Sequence, residues 1–140
     1  ISNAEVLTTP CDVLVPAALE NQITEENADK LQCSYIVEAA NGPTSKEADA
    51  ILEKRGIPVI PDIFANGGGV IVSYFEWVQN IQELTWERER VNEMLENLMS
   101  KSFAEITEAK EKYDCTYRMA AYVVALKKLI YAEEIKGIFP

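Results

Sequence analysis

None of the 140 residues is a histidine, and only three are cysteines. Without histidine, the chain cannot supply a Ser-His or Cys-His catalytic pair, and most zinc sites are excluded as well. Cys11, Cys33 and Cys115 lie far apart in the sequence and form no CxxC pair, so we predict neither a metal site nor a disulfide. Isolated thiols are typical of a reducing compartment, and we predict a cytoplasmic location.

Long apolar runs are also missing. No segment reaches the roughly 18 apolar residues that cross a membrane, and no segment resembles a secretory signal. The formal net charge of −10 argues against nucleic acids and anionic membrane surfaces as partners. Because the chain has no initiator methionine, we expect Ile1 to lie inside a longer natural sequence.

Short apolar runs punctuate the first half of the chain: "CDVLVP", "SYIVEA" and "IPVIP". Their apolar character is continuous rather than alternating, which predicts strands covered on both faces, as in a parallel sheet. Between them, Thr24 begins a predicted helix, and Thr44 begins a second one with the capping box "TSKE" and a stop at Gly56. This order predicts an α/β fold with a partial Rossmann-like parallel sheet of about three strands, joined right-handedly as βαβαβ.

From residue 66 onward the apolar residues recur at helical spacing. The clearest stripe, at positions i, i+3, i+4 and i+7 of the last helix, consists of Tyr122, Ala125, Leu126 and Leu129. Such a stripe is typical of the apolar face of a packed helix. The segment "KYDC", which ends at residue 115, predicts a break between helices. We therefore divide the chain into residues 1–65, which contain the sheet, and residues 66–140, which are helical.

Ligands of an open parallel sheet bind at the carboxyl ends of its strands, where this chain has "PAALENQ", "AANGPT" and "PDIFANGGG". Each segment combines small residues, which let a ligand approach the backbone, with an asparagine or glutamine that donates and accepts. Structural alternatives stay open: Asn41 is typical of a turn, and the three glycines are typical of a tight helix start. Ser73 has the alternative of bonding its own helix.

If the helix after the glycines starts near Asn66, then Asn66, Ser73 and Trp77 share one stripe, since seven residues make nearly two turns. Asn66 and Ser73 would then face the same cleft, beside a glycine-rich helix start suited to an anion or a closely packed ligand. We expect the aromatic residues Tyr74, Phe75 and Trp77 to hold this helix against the sheet. No GxGxxG follows a strand, so a dinucleotide site built from this chain alone lacks its pyrophosphate loop.

Four motifs carry a family resemblance: "CDVLVPAALENQIT", "VEAANGPTSKEADAIL", "RGIPVIPDIFANGGGVIVSYFEWVQN" and "YRMAAYVVALKKL". From about Glu5 to the end, the chain closely resembles the glutamate dehydrogenases of the Glu/Leu/Phe/Val dehydrogenase superfamily. The stretch "VSYFEWVQN" separates the glutamate enzymes from the related leucine and phenylalanine dehydrogenases. The resemblance implies that residues 1–65 are the second half of a Rossmann-like NAD(P)-binding domain, and that residues 66–140 are helices packed on it. One departure is Gly67, where the family usually has alanine.

The resemblance also implies contacts with NAD or NADP. Ala17 and Ala18 resemble the small residues that lie against the nicotinamide side, and Gln22 resembles a nearby polar contact. Asn41 resembles the asparagine that bonds the nicotinamide ribose or carboxamide. Asn66 resembles a further asparagine on the nicotinamide side.

Ser73 resembles the residue whose hydroxyl bonds the side-chain carboxylate of glutamate. The implied activity is the oxidative deamination of L-glutamate to 2-oxoglutarate and ammonia, in a parent expected to be a homohexamer. The catalytic lysine and aspartate would lie upstream, no residue here matches them, and the fragment alone is expected to be inactive. Two alternatives stay open: a non-catalytic α/β module that associates with proteins through its acidic helices, and an enzyme for a different amino acid.

Overall fold

Three parallel strands form the sheet of this computed structural model, which describes residues 1–137. They lie in the order β1 (Cys11–Leu14), β2 (Cys33–Val37) and β3 (Val59–Ile60). Val13 is paired with Tyr35, and Ile36 is paired with Val59. Each strand coincides with one of the apolar runs of the sequence, so the predicted α/β fold with a three-stranded parallel sheet is confirmed.

Helices precede, connect and follow these strands. In chain order they are α1 (Asn3–Thr8), α2 (Lys46–Lys54), α3 (Asp62–Ala65), α4 (Gly67–Gln82), α5 (Arg88–Tyr113) and α6 (Tyr117–Lys136). The break predicted at "KYDC" is confirmed, because α5 ends at Tyr113 and Asp114 takes a left-handed φ of 47°. Within residues 1–137, no helix combines the length and the apolarity that crossing a membrane requires.

The helix predicted to begin at Thr24 is wrong. Only a 3-10 turn, Ala28–Lys30, connects β1 to β2. The Asn27 side chain explains this, because its Oδ1 accepts the Thr24 N–H at 2.9 Å and its Nδ2 donates to the Gln22 carbonyl at 2.9 Å. These local bonds offer the backbone an alternative to a helix.

The helix predicted after Thr44 is present, but its cap lies one residue later. The Ser45 hydroxyl accepts the Ala48 N–H at 3.2 Å, which satisfies a backbone donor that the first turn leaves free. The helix ends before Gly56, as predicted. Gly56 has a φ of +70°, a left-handed conformation that glycine adopts without a steric penalty.

The apolar core of the first half lies on one face of the sheet. The buried strand residues Leu14, Ile36 and Val59 pack there. The helices, the 3-10 turn and the residue that follows this turn contribute a further set, Leu7, Ala28, Leu31, Ala48 and Leu52. On the opposite face, Val13 and Tyr35 are 48% and 51% exposed. The prediction that both faces are covered is therefore wrong within the described residues, because their core-forming helices cover one face.

A second core joins α5 to α6 through Ile106, Ala109, Ala120 and Ala121. Phe64 of α3 packs against it and stacks on Phe103 of α5, with ring centroids 5.4 Å apart. The apolar stripe of α6, which we predicted to be packed, is largely uncovered in the described part of the chain. Its residues Tyr122, Leu126 and Leu129 are 46%, 54% and 62% exposed. The buried face of α6 is formed instead by the small residues Ala120 and Ala121.

The prediction that aromatic residues hold α4 against the sheet is wrong for Tyr74 and Trp77. Both side chains are 57% exposed and stack on one another, with ring centroids 5.7 Å apart. Phe75 is buried, as expected, but its aromatic neighbour is Trp86, at 5.9 Å, rather than a strand residue. The helix is thus anchored by Phe75 and carries an exposed aromatic pair.

Candidate functional site

The loops at the carboxyl ends of β1 and β2 are joined through their backbones. Pro16, which follows β1, accepts the N–H groups of Ala39 and Ala40 at 3.1 and 2.9 Å. Further along, the Asn21 N–H donates to the Gly42 carbonyl at 2.9 Å. Because the loops share these bonds, residues that the sequence separates widely lie along one edge of the sheet.

Asn41 and Asn66 meet at this edge. Nδ2 of Asn66 donates to Oδ1 of Asn41 at 2.6 Å and lies 3.4 Å from the carbonyl oxygen of Ala39. Asn41 is exposed and Asn66 is half-buried. Asn66 follows α3 directly and precedes the first residue of α4. The segment after β2 is thereby tied to the start of the long helix that follows β3.

Amide chemistry determines what this pair offers to a ligand. An asparagine side chain has one acceptor oxygen and one donor NH₂ group. Their mutual bond leaves Nδ2 of Asn41 as a donor and Oδ1 of Asn66 as an acceptor. A primary carboxamide presents the complementary acceptor and donor, so the pair fits a ligand of that kind.

The remaining predicted cofactor residues lie in the loop after β1. Ala17 and Ala18 are exposed and leave the loop backbone accessible. Gln22 is half-buried, and both ends of its amide are occupied. Its Oε1 accepts from Asn3 of α1 at 2.7 Å, and its Nε2 donates to the Glu20 carbonyl at 3.0 Å. Gln22 therefore braces the loop in this structure.

Ser73 is exposed on α4, seven residues after Asn66 and roughly 10 Å farther along the helix axis at about 1.5 Å per residue. The structure therefore brings Asn41 and Asn66 into contact and places Ser73 apart from them on the same helix. The hydroxyls of Thr8 and Thr107 donate to the carbonyls four residues back. Ser73 makes no such bond within residues 1–137.

The glycine-rich start of α4 leaves space around its backbone. A Cβ added at Gly67 or Gly69 would meet no atom of the described chain within 4 Å. At Gly68 it would lie 3.7 Å from Leu95, an ordinary contact. Since glycine inside a helix costs about 0.5–1 kcal/mol relative to alanine, packing within this chain does not explain glycine at positions 67 and 69.

A charged cluster is hydrogen-bonded to the segments that carry the two asparagines, and sequence reasoning missed it. The Arg118 guanidinium of α6 bonds the Glu38 carboxylate at 2.7 and 3.0 Å and Asp49 at 2.7 Å. Nη1 of Arg118 also lies 3.6 Å from Oδ1 of Asp62. A glutamate directly after a buried strand, and an arginine among the apolar residues of "YRMAAY", are the sequence signals for it.

Glu38 is the buried centre of this cluster, with 0% of its surface exposed. Burial by itself would lower the pKa of Arg118, but the hydrogen bonds to Glu38 and Asp49 outweigh it and raise that pKa above its ordinary value. Arg118 is therefore a permanent cation. A buried carboxylate requires such a partner, because an isolated charge in a protein interior is strongly unfavourable.

A hollow of about 390 Å³ opens between α4, α5 and α6. Asn66, Gly67 and Val70 line one side of it, and Met99 and Ala121 line the other. Neither Asn41 nor Ser73 contributes to its wall. The hollow is therefore a gap between helices that touches Asn66 but not Asn41.

Comparison with known proteins gives the chain its family. It is 49% identical, over 100% of its length, to 34% of the glutamate dehydrogenase of Thermotoga maritima. It is also 51% identical, again over its whole length, to 32% of NAD-specific glutamate dehydrogenase A of Halobacterium salinarum. The leucine-bound hetero-hexameric glutamate dehydrogenase of Thermus thermophilus superposes on all of this chain with a TM-score of 0.94, at 33% identity and 34% coverage of that structure. The chain thus spans about a third of the length of these relatives. Residues 1–137 match the family model for glutamate/leucine/phenylalanine/valine dehydrogenase, and the chain belongs to that family.

Proposed function

We propose that this chain is part of an NAD(P)-dependent glutamate dehydrogenase, which oxidatively deaminates L-glutamate to 2-oxoglutarate and ammonia in the cytoplasm. The names of the Thermotoga and Halobacterium relatives support this activity. In this proposal, residues 1–65 are the second half of the cofactor domain and residues 66–140 are helices packed on it. The part alone is inactive, because the catalytic lysine and aspartate lie elsewhere in the full enzyme.

The hydrogen-bonded pair of Asn41 and Asn66 is the observation that carries the proposal. Nicotinamide is a primary carboxamide, and the pair leaves a donor on Asn41 and an acceptor on Asn66 that match its carbonyl oxygen and NH₂ group. The exposed Ala17 and Ala18, in the neighbouring loop, permit close approach of the ring and its ribose. Gln22 supports that loop from α1.

The division of chemistry follows from these contacts. When bound, the nicotinamide supplies the acceptor for the hydride that leaves the α-carbon of glutamate. The asparagines hold the carboxamide and thereby fix which part of the ring the substrate meets. Ser73, exposed farther along α4, donates a hydrogen bond from its hydroxyl to the side-chain carboxylate of glutamate. Residues of the rest of the enzyme complete the substrate pocket, and we propose that the whole protein is a homohexamer.

The direct test is an assay of the full-length protein. Supplied with L-glutamate and NAD⁺ or NADP⁺, it should generate reduced nicotinamide, measured by absorbance, and stoichiometric 2-oxoglutarate. The 140-residue chain alone should generate neither. A full-length protein that reduces no cofactor with glutamate, although it is folded, would overturn the proposal.

A further inference from the structure

Arg118 is linked to both asparagine-bearing segments without touching either asparagine. We propose that Arg118 is a positioning residue, which holds Asn41 and Asn66 at the spacing that the nicotinamide carboxamide requires. The inference rests on the proposed function, since it assigns a supporting residue to the same site. It depends on a continuous series of contacts that begins on α6 and ends beside the asparagine pair.

The first contacts of this series bring α6 to the end of β2. Two nitrogens of Arg118 bond the two carboxylate oxygens of Glu38, at 2.7 and 3.0 Å. The planar guanidinium group suits such paired bonds, which fix orientation as well as distance. Asp49 of α2 accepts from a further nitrogen at 2.7 Å and so restrains the guanidinium group from another side.

Glu38 and Asp62 continue the series to the asparagines. Oε2 of Glu38 accepts the backbone N–H of Asp62 at 2.9 Å, which ties the end of β2 to the start of α3. Oδ2 of Asp62 accepts the backbone N–H of Gly42 at 2.8 Å. Gly42 directly follows Asn41, and Asn66 directly follows the short helix that Asp62 begins. The cluster thus holds the backbone one position after Asn41, at Gly42, and four positions before Asn66, at Asp62. We call this set of contacts the clamp.

The geometry of the clamp bears on function because amide recognition is short-ranged. Binding groups need to be held within about 0.5 Å of their productive positions by supporting contacts. The asparagine side chains lie at the exposed edge of the sheet, whereas the cluster that fixes their loops contains the fully buried Glu38. A buried, bidentate ion pair is a rigid support for such an edge, and Arg118 is its cation.

The experiment compares two ligands of the full-length enzyme that differ in the nicotinamide group. For Arg118→Gln, we expect the KM for NAD⁺ to rise about tenfold, within the range that small misplacements of binding groups produce. The inhibition constant of ADP-ribose, which lacks nicotinamide, should stay within about twofold, because the inference confines the damage to the asparagine pair. A general distortion of the cofactor domain would weaken the binding of both ligands equally. A partly unfolded preparation would change neither constant, because both constants are properties of the enzyme molecules that remain folded. Any result other than the split overturns the positioning role.

Two parallel variants separate the possible failures. Lys127→Gln removes another positive charge from α6, where Lys127 bonds the Tyr113 hydroxyl at 2.6 Å, and should leave both constants unchanged. Asn41→Ala should raise the KM for NAD⁺ by itself. If Asn41→Ala has no effect, the proposed contact of the asparagine pair with the cofactor fails. If Asn41→Ala has its effect and Arg118→Gln does not, the positioning role of Arg118 alone fails.

A milder variant covers the case in which Arg118→Gln does not fold. Asp62→Ala removes the acceptor for the Gly42 N–H while leaving the pair of Arg118 and Glu38 intact, and the Asp62 side chain is 22% exposed. It should produce the same split between NAD⁺ and ADP-ribose. Equal weakening of both ligands in this variant, or no change in either, overturns the inference.

Discussion

Nδ2 of Asn66 donates a 2.6 Å hydrogen bond to Oδ1 of Asn41, across 25 positions of the sequence. We predict that the two side chains act on the cofactor as a unit. In the full-length enzyme, Asn41→Ala and Asn66→Ala should each raise the KM for the nicotinamide cofactor about two- to tenfold. This range corresponds to the loss of one neutral hydrogen bond of about 0.5–1.5 kcal/mol. The measurement is initial-rate kinetics with the cofactor varied.

A double-mutant cycle tests whether the pair is coupled. Contacting residues have interaction energies of about 0.5–3 kcal/mol, so the double variant should fall short of the product of the two single effects. Asn97→Ala, at an exposed position of α5, is the matched control and should leave the KM unchanged. Strictly additive losses would show that the two asparagines do not act on the cofactor as a unit.

Ser73→Ala should change substrate selectivity. A hydrogen bond to a charged group contributes about 1.5–3 kcal/mol, so kcat/KM for L-glutamate should fall about ten- to hundredfold. L-norvaline has a methyl group in place of the side-chain carboxylate, and its low kcat/KM should be nearly unaffected. The ratio of the two values is the measurement. An unchanged ratio would mean that Ser73 does not contact this carboxylate and would favour a different amino-acid substrate.

Continuous apolar runs predicted the strands correctly. Leu14, Ile36 and Val59 are buried against helices, and the apolar neighbours that such burial requires are adjacent in the sequence. The helix at Thr24 was mispredicted because the side chain of Asn27 forms bonds that no helical pattern encodes. Cap position was off by one residue, since Thr44 and Ser45 are chemically equivalent candidates for the same role.

The candidate site was only partly predictable. Asn41 and Asn66 lie in the segments that follow two adjacent parallel strands, and that topology predicts their proximity. The cluster of Arg118, Glu38 and Asp62 depends on where α6 packs, and helical periodicity does not determine that. The exposed pair of Tyr74 and Trp77 illustrates the same difficulty, since an aromatic residue on an apolar helix is normally assigned to the core.

Two glycines of this chain should respond to alanine with opposite signs. Gly67→Ala should raise the free energy of unfolding by up to about 0.5–1 kcal/mol, because alanine is the better helix former and its Cβ meets no atom within 4 Å. Gly56→Ala should lower it by about 1–2 kcal/mol, because Gly56 has a φ of +70° and a Cβ is strained there. Urea unfolding of the 140-residue chain measures both changes. Destabilisation by Gly67→Ala would show that the open start of α4 is constrained in a way the described contacts do not include.

Arg118 should contribute far more to stability than a surface lysine of the same helix. Arg118→Met leaves the carboxylate of Glu38 buried without its cation, which typically costs about 3–5 kcal/mol. Lys128→Met breaks an ion pair with Glu105 in which the lysine is 60% exposed, and exposed pairs contribute about 0–1 kcal/mol. The measurement is the urea midpoint of each variant. If Arg118→Met lost as little stability as Lys128→Met, solvent would have to reach Glu38 and compensate its charge.

The free cysteines Cys11 and Cys33, on neighbouring strands, should differ in reactivity towards iodoacetamide. They are neighbours in the register of β1 and β2, but Cys11 is exposed while Cys33 is half-buried. Burial is the main cause that raises the pKa of the Cys33 thiol, and the nearby Cys11 raises it further. Since a raised pKa leaves less thiolate at any pH below it, and the thiolate is the reactive form, Cys33 should be alkylated more slowly.

Mass spectrometry of peptides after timed labelling at pH 8 measures the ratio of the two alkylation rates, and the difference between the rates should narrow as the pH rises. Cys11→Ser removes one of the causes that raise the pKa and should therefore accelerate Cys33 labelling. Equal rates for the two cysteines in the unsubstituted chain would mean that the strands open on the labelling time scale.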